Sequence, residues 1–299
     1  MRLRLGARGS ALSLAQAALV TSALGGEDAV ELVVVKTTGD RRSAAGEPIS
    51  WKGDFTRELD EALLAARIDL AVHSLKDVPS GLPGGLVLAA VPEREDPRDV
   101  LVAEPHRTFA ELPHGARVGT SSPRRKAQLL RARADLEILE ARGNVDTRIR
   151  RLREGRFDAL VLARAGLARL GRADEASDVF DESVLLPAVG QGALAIVTRR
   201  DRIPEAVRGL DHAASHAEVL AERGFLAGLE AGCRAPVAGR ARVSGSRLGF
   251  EGAVFSADGA TMIRTSGSGS PADAEAVGRR AAEELLSRGA AGLVAAAEP

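Results

Sequence analysis

The 299-residue chain has no tyrosine, one tryptophan, one cysteine and two methionines, and only 3% of its residues are aromatic. A single thiol, Cys233, excludes an internal disulfide and any cysteine-based metal cluster, as expected of a protein kept in a reducing compartment. The five histidines show no ligand spacing such as HxxxH, so no metal site is expected. With a formal net charge of zero and few aromatic platforms for base stacking, the composition argues against bulk nucleic-acid binding. No apolar run approaches the ~18 residues that a membrane span requires. The opening MRLRLGARGS lacks the apolar stretch of a secretory signal. The expectation is a cytoplasmic protein with no membrane and no nucleic-acid partner.

What is present is an ordinary globular composition, 45% hydrophobic and 27% charged, enough for two or three domains. Its charge is unevenly spread. Between Arg124 and Arg172 lie fourteen basic residues against six acidic ones, and thirteen of the fourteen are arginine. Codon preference explains arginine over lysine in a chain with 37 of the former and four of the latter. It does not explain why acids fail to balance arginine here. A guanidinium fork grips carboxylate or phosphate in a bidentate way, so the surplus points to a polyanionic partner, with a solvated charged face as the bland alternative.

Short β-branched or apolar runs alternate with amphipathic stretches, the pattern of parallel α/β units. Strands are predicted at Arg2 to Leu5, Val30 to Lys36, Asp69 to Val72 and Leu86 to Val91, with helices at Ala11 to Leu24 and Phe55 to Ala66. A second block has strands near Arg117 to Gly119, Leu136 to Leu139 and Ala159 to Leu162, with helices at Pro123 to Arg133 and Val145 to Arg153. Proline and glycine mark two crossovers, at Glu95 to Arg98 and Pro187 to Gly192, which suggest two lobes joined by a double hinge. After a helix at Ala213 to Leu229, strands at Val237 to Val243, Arg247 to Phe255 and Ala260 to Thr265 and a helix at Ala272 to Ser287 read as a small α+β domain.

Three helix starts carry arginine where the helix dipole disfavours a cation by roughly 0.3–1 kcal/mol. In Thr120-Ser121-Ser122-Pro123-Arg124-Arg125, Ser122 is a good N-cap and Pro123 a good first residue. Arg142-Gly143-Asn144-Val145-Asp146-Thr147-Arg148, with Asn144 as cap, and Arg8-Gly9-Ser10 repeat the arrangement. All three follow predicted strands, where open α/β sheets bind ligands, and a bound anion removes the conflict. The segment Val72 to Pro79 also ends a strand with polar residues. Its Lys76 is one of four lysines, and Asp77 is a candidate to stabilise a cation or move a proton, although an Asp-Val-Pro turn alone is a common turn. Cys233 sits in Gly232-Cys233-Arg234-Ala235-Pro236, where a neighbouring arginine favours thiolate; a buried inert thiol is the alternative, and a protease-like dyad would need a distant base such as His73.

With these pieces assembled, the sequence resembles the hydroxymethylbilane synthase, or porphobilinogen deaminase, family. The matching strings, in the family's order, are VHSLKDVP (72–79), EREDPRD (93–99), VGTSSPRRKAQL (118–129), RGNVDTR (142–148), AGLARLG (165–171), LPAVGQGA (186–193) and GCRAP (232–236). The resemblance implies an α/β fold of two periplasmic-binding-protein-like (type II) lobes joined by a double crossover, plus the small C-terminal α+β domain. The expected division is 1–96 with 189–209, 97–188, and 210–299.

It also implies a transferase of tetrapyrrole biosynthesis that adds four porphobilinogen units, with loss of ammonia, to a dipyrromethane cofactor attached through a thioether to Cys233, and frees the linear tetrapyrrole by hydrolysis. By motif position, Asp77 is the implied catalytic residue. Lys76, Ser122, Arg124, Arg125 and Arg148 are implied cofactor contacts. Arg8, Ser10, Arg142, Arg169, Lys52, Gln16 and Gln191 are implied substrate contacts. A monomer is implied. Each pyrrole unit carries an acetate and a propionate, which accounts for the arginine surplus.

The chain departs from the family at Pro48-Ile49-Ser50-Trp51-Lys52-Gly53-Asp54-Phe55, where a glycine-rich, lysine-bearing loop is usual. Pro48 stands where a second lysine is common and Asp54 replaces an apolar residue; Pro123 replaces a common leucine. The competing functions are a non-enzymatic two-lobed anion-binding module and a hydrolase using Cys233 with a distant histidine.

Overall fold

The computed structural model describes residues 2–45, 53–230 and 235–296. Two compact units comprise residues 1–95 with 192–216, and 96–191 with 217–299.

The first stretch of chain runs β1 (Leu3–Arg8), α1 (Ala11–Ala23), β2 (Val30–Val35), α2 (Thr38–Ala45), α3 (Arg57–Leu64), β3 (Leu70–Ser74) and β4 (Leu86–Ala90). The second runs β5 (Asp99–Ala103), β6 (Arg117–Gly119), α4 (Pro123–Ala132), β7 (Glu137–Leu139), α5 (Val145–Arg153), β8 (Ala159–Ala163), α6 (Arg164–Arg169) and β9 (Asp178–Val179). The last runs β10 (Leu194–Arg199), α7 (Glu205–Arg208), α8 (Ala213–Gly228), β11 (Val237–Ser244), β12 (Arg247–Phe255), β13 (Met262–Gly269), α9 (Ala274–Ser287) and α10 (Ala290–Ala295).

In the first unit the strand order is β2-β1-β3-β10-β4. β1 is parallel to β2 and β3, whereas β10 is antiparallel to β3 and β4. Leu5, Ala7, Leu70, Val72 and Ile196 meet Ala17 and Val20 of α1 in one core. The parallel strands therefore end on the same side, which places Arg8 at the end of β1 and Ser74 at the end of β3, next to Lys76 and Asp77.

The second unit repeats the plan with order β7-β6-β8-β5-β9, β6 parallel to β7 and β8 and β5 antiparallel to β8 and β9. A third sheet, the antiparallel meander β11-β12-β13, forms a core with α8 and α9. Phe225 and Phe250 pack there with ring centroids 4.9 Å apart. The two helices approach so closely that a Cβ on Gly278 would lie 1.9 Å from the Ala221 carbonyl oxygen. Both the mixed α/β class and the separate C-terminal sheet agree with the sequence expectation.

Most predicted elements are found within one to four residues of their expected ends. The third strand of the small domain is Met262–Gly269 rather than Ala260 to Thr265. β5, β9, β10, α2, α6, α7 and α10 were not foreseen. β5 is wholly buried and β10 nearly so, which gives continuous apolar runs with no alternation to read. Among the described residues no helix is long and apolar enough to cross a membrane.

Candidate functional site

In the first unit, Ser10 caps α1, accepting a hydrogen bond from the Ser13 amide at 3.3 Å, and Ser13 Oγ accepts from the Arg8 amide at 3.0 Å. That local network fixes where β1 turns into α1. Gln16 is buried one turn later and donates to Ser74 Oγ at 2.7 Å, which joins α1 to the end of β3. Arg8, Ser10 and Gln16 are thus brought to the strand ends that lead into Lys76 and Asp77, both exposed in a short 3-10 turn.

The Arg8 guanidinium already has a partner. Its Nη2 lies 2.5 Å from Asp40 Oδ1, and the Phe55 ring lies 4.0 Å from its central carbon. Burial acts to raise the Asp40 pKa, but the Arg8 hydrogen bond and charge, with Thr37, outweigh it and hold the carboxyl below its ordinary value. Gly39 is needed beside this stack, because a Cβ there would lie 2.3 Å from the Phe55 ring. Asp54, the unexpected acid of the departing loop, is buried and ion-paired with Arg42 at 3.2 Å, so the chain supplies its own compensation for that change. His73, on β3, is 5% exposed; burial, then the Arg8 charge, push its pKa down to about 4.

In the second unit the decisive group is Asp99, fully buried at the start of β5. Its Oδ2 lies 2.7 Å from Arg124 Nη2 and its Oδ1 lies 2.7 Å from Arg125 Nη2. Gln191 Nε2 donates to Asp99 at 2.8 Å and to the Pro97 carbonyl at 2.6 Å. Burial alone would raise the Asp99 pKa; the two arginines and Gln191 instead bring it to about 2. The carbonyls of Leu186 and Val161 take one further N–H each from Arg124 and Arg125. Ser122 caps α4 as expected, its Oγ accepting from the Arg125 amide at 3.4 Å.

One carboxylate therefore faces two buried guanidiniums and leaves one positive charge unmatched within this group. Arg124 Nε and Ser121 Oγ are buried without a hydrogen-bond partner among the described residues. Buried donors of that kind are costly unless something accepts from them. The donor set fits an added carboxylate.

Arg142 and Arg148 flank the turn after β7. Arg148 Nε donates to the Gly143 carbonyl at 2.7 Å, and Arg142 Nε pairs with Glu140 at 2.6 Å. Asn144 occupies the cap position of α5, but its side chain makes no capping bond, contrary to expectation; the Arg148 bond ties the turn instead. Arg169 closes α6 and is half-buried. Lys52 and Cys233 lie outside the described residues. Asp99, Asp40 and Phe55 were missed in the sequence as site residues. Asp99 had a readable signal, an acid opening the apolar run Asp99-Val100-Leu101-Val102-Ala103, but nothing local marks Asp40 as the partner of Arg8.

The family profile described as "Porphobilinogen deaminase, dipyromethane cofactor binding domain" matches residues 3–205. The chain belongs to the porphobilinogen deaminase family. The profile described as "Porphobilinogen deaminase, C-terminal domain" covers residues 216–287, which include Cys233. A porphobilinogen deaminase of Rubrobacter xylanophilus is 52% identical, with 98% of this chain and 96% of the relative covered. One of Nitratidesulfovibrio vulgaris is 46% identical over the same shares. A solved structure of a putative methionine-binding lipoprotein from Bacillus subtilis aligns with TM-score 0.40 and 12% identity over 70% of this chain and 87% of its own. Apart from Cys233, every candidate residue of the porphobilinogen deaminase resemblance falls within the cofactor-binding match.

Proposed function

We propose that the protein is a transferase that joins four porphobilinogen units, with loss of ammonia, onto a dipyrromethane held by Cys233, and releases the linear tetrapyrrole hydroxymethylbilane by hydrolysis. Membership of the porphobilinogen deaminase family supports the reaction. The single structural observation that carries it is the buried group of Asp99, Arg124 and Arg125, whose unmatched positive charge calls for a carboxylate. A dipyrromethane supplies that carboxylate and a free pyrrole α-carbon as the accepting end of the chain.

The residues divide the work by charge. Arg124, Arg125, Ser122, Lys76 and Arg148 hold the carboxylates of the cofactor; Arg8, Ser10, Arg142, Arg169, Lys52, Gln16 and Gln191 contact the incoming unit. Asp77 is the catalytic residue. As the substrate's aminomethyl C–N bond breaks and ammonia leaves, positive charge spreads to the pyrrole nitrogen, and a carboxylate at that point lowers the barrier. The same carboxylate can accept the nitrogen proton and return it when the new C–C bond has formed and the displaced α-proton has left.

The proposed division is residues 1–96 with 189–209, 97–188 and 210–299. Three separate sheets support it, as does the change of family profile between residues 205 and 216. The protein is proposed to act as a cytoplasmic monomer. The test is an intact-mass measurement followed by incubation with porphobilinogen. Two pyrrole units of extra mass on Cys233 and formation of a linear tetrapyrrole are expected. An unmodified thiol, with no turnover even after preincubation with substrate, overturns the reading.

A further inference from the structure

The turn between β7 and α5 gathers three guanidiniums. Arg148 and Arg151 stand three residues apart on one face of α5 and lean back toward its start, as helical side chains do. Arg148 Nε donates to the Gly143 carbonyl at 2.7 Å and Arg151 Nη1 to the adjacent Arg142 carbonyl at 3.1 Å. Gly143, at φ +102°, provides the left-handed turn that presents those carbonyls.

Other arginines of this region have found acids: Arg150 pairs with Glu154 at 3.6 Å, Arg153 with Glu104 at 3.0 Å, and Arg172 with Glu175 at 2.5 Å. Arg151 is half-buried, and among the described residues no carboxylate forms an ion pair with it. A carbonyl satisfies one of its donors but none of its charge. It also sits beside Arg142, whose own partner Glu140 is well exposed and weakly held. A half-buried cation next to like charges is a poor arrangement for a folded chain alone, and a good one for receiving a polycarboxylate.

Resting on the function proposed above, we propose that Arg151 binds carboxylates of the later rings of the growing oligopyrrole. The buried Arg124 and Arg125 pair has one positive charge to offer beyond Asp99, whereas each added unit brings two carboxylates. Arg142, Arg148 and Arg151 extend the cationic surface beyond that first site, and Arg151 has no acid among the described residues to give up when a ligand arrives.

Arg151→Gln keeps a donor for the Arg142 carbonyl and removes the charge. The holoenzyme variant, given limiting porphobilinogen, is followed by native mass spectrometry, which counts bound units. The expected result is an unchanged holoenzyme mass, a one-unit complex formed as in the wild type, and three- and four-unit complexes depleted roughly tenfold, the loss of one charge-assisted hydrogen bond. Arg151→Lys should restore most of them, and Arg150→Gln, with the same change of net charge, should resemble the wild type. A wild-type distribution in Arg151→Gln, equal depletion at the first addition, or the same effect from Arg150→Gln overturns the proposal. Wild-type holoenzyme that takes up no porphobilinogen overturns the proposed function as well.

Discussion

Gln191 donates its side-chain amide to the buried carboxylate of Asp99 at 2.8 Å, so a residue of the second crossover segment helps to hold the acid that holds two arginines of α4. The cations that the dipole of α4 disfavours at its first turn are thus answered from inside the protein, by an acid on β5. The chain makes this pairing from its own residues.

Replacing Asp99 by Asn removes the charge at nearly constant shape and leaves two guanidiniums, 4% and 6% exposed, without their counter-ion. Breaking such a buried pair costs about 3–5 kcal/mol. Urea unfolding of Asp99→Asn at pH 7 should show a loss of that order, and the purified variant should carry less cofactor on Cys233 than the wild type. The folded-state pKa of Asp99 is depressed, so its stabilisation is present above about pH 4 and is lost as pH falls toward about 2. Stability and cofactor content equal to the wild type would show that the arginines are held by other means.

The sequence was most legible where chemistry has a local signature. Ser122-Pro123 marked a helix start, and Ser122 does cap α4. Arginines in that first turn were read as calling for a bound anion, and the anion the structure shows there is the chain's own Asp99. What could not be read was its source, because Asp99 reaches Arg124 and Arg125 through the pairing of β5 with β8, a contact across the fold. β5 and β10 were missed for a related reason: strands flanked on both sides in a sheet and buried on both faces lose the alternation that reveals a strand. Arg8 was expected to contact a ligand carboxylate; its pairing with Asp40, three elements on in α2, had no local signal.

Asp77 tests the chemistry separately from the fold. It is exposed in a short turn after β3, so Asp77→Asn should alter stability by no more than about 0.5 kcal/mol. In the proposed role, loss of its negative charge removes both the stabilisation of the pyrrole cation and the proton acceptor. Turnover of porphobilinogen should fall by roughly 10²–10⁴-fold with an unchanged urea midpoint. Normal turnover in this variant would remove Asp77 from the mechanism.

His73 supplies a pH dependence of stability with a definite sign. Its Nε2 is buried without a partner among the described residues, and its pKa in the fold is about 4, against about 6.5 for an exposed histidine. Between those values the unfolded chain binds the proton and the folded one does not, so stability is fully present above about pH 6.5 and is lost as pH falls toward 4. From pH 7.5 to 5 the contribution is roughly 2 kcal/mol. Asp60 works in the opposite direction, since burial raises its pKa to about 6, so a single titration of the wild type would blur the two. Comparison with His73→Phe separates them, because Asp60 is common to both proteins. Urea unfolding at pH 7.5 and pH 5 should show the wild type losing about 2 kcal/mol more than the variant on acidification. Equal losses in the two proteins would mean that His73 takes up its proton in the folded state, and that the histidine beside Arg8 is in contact with water.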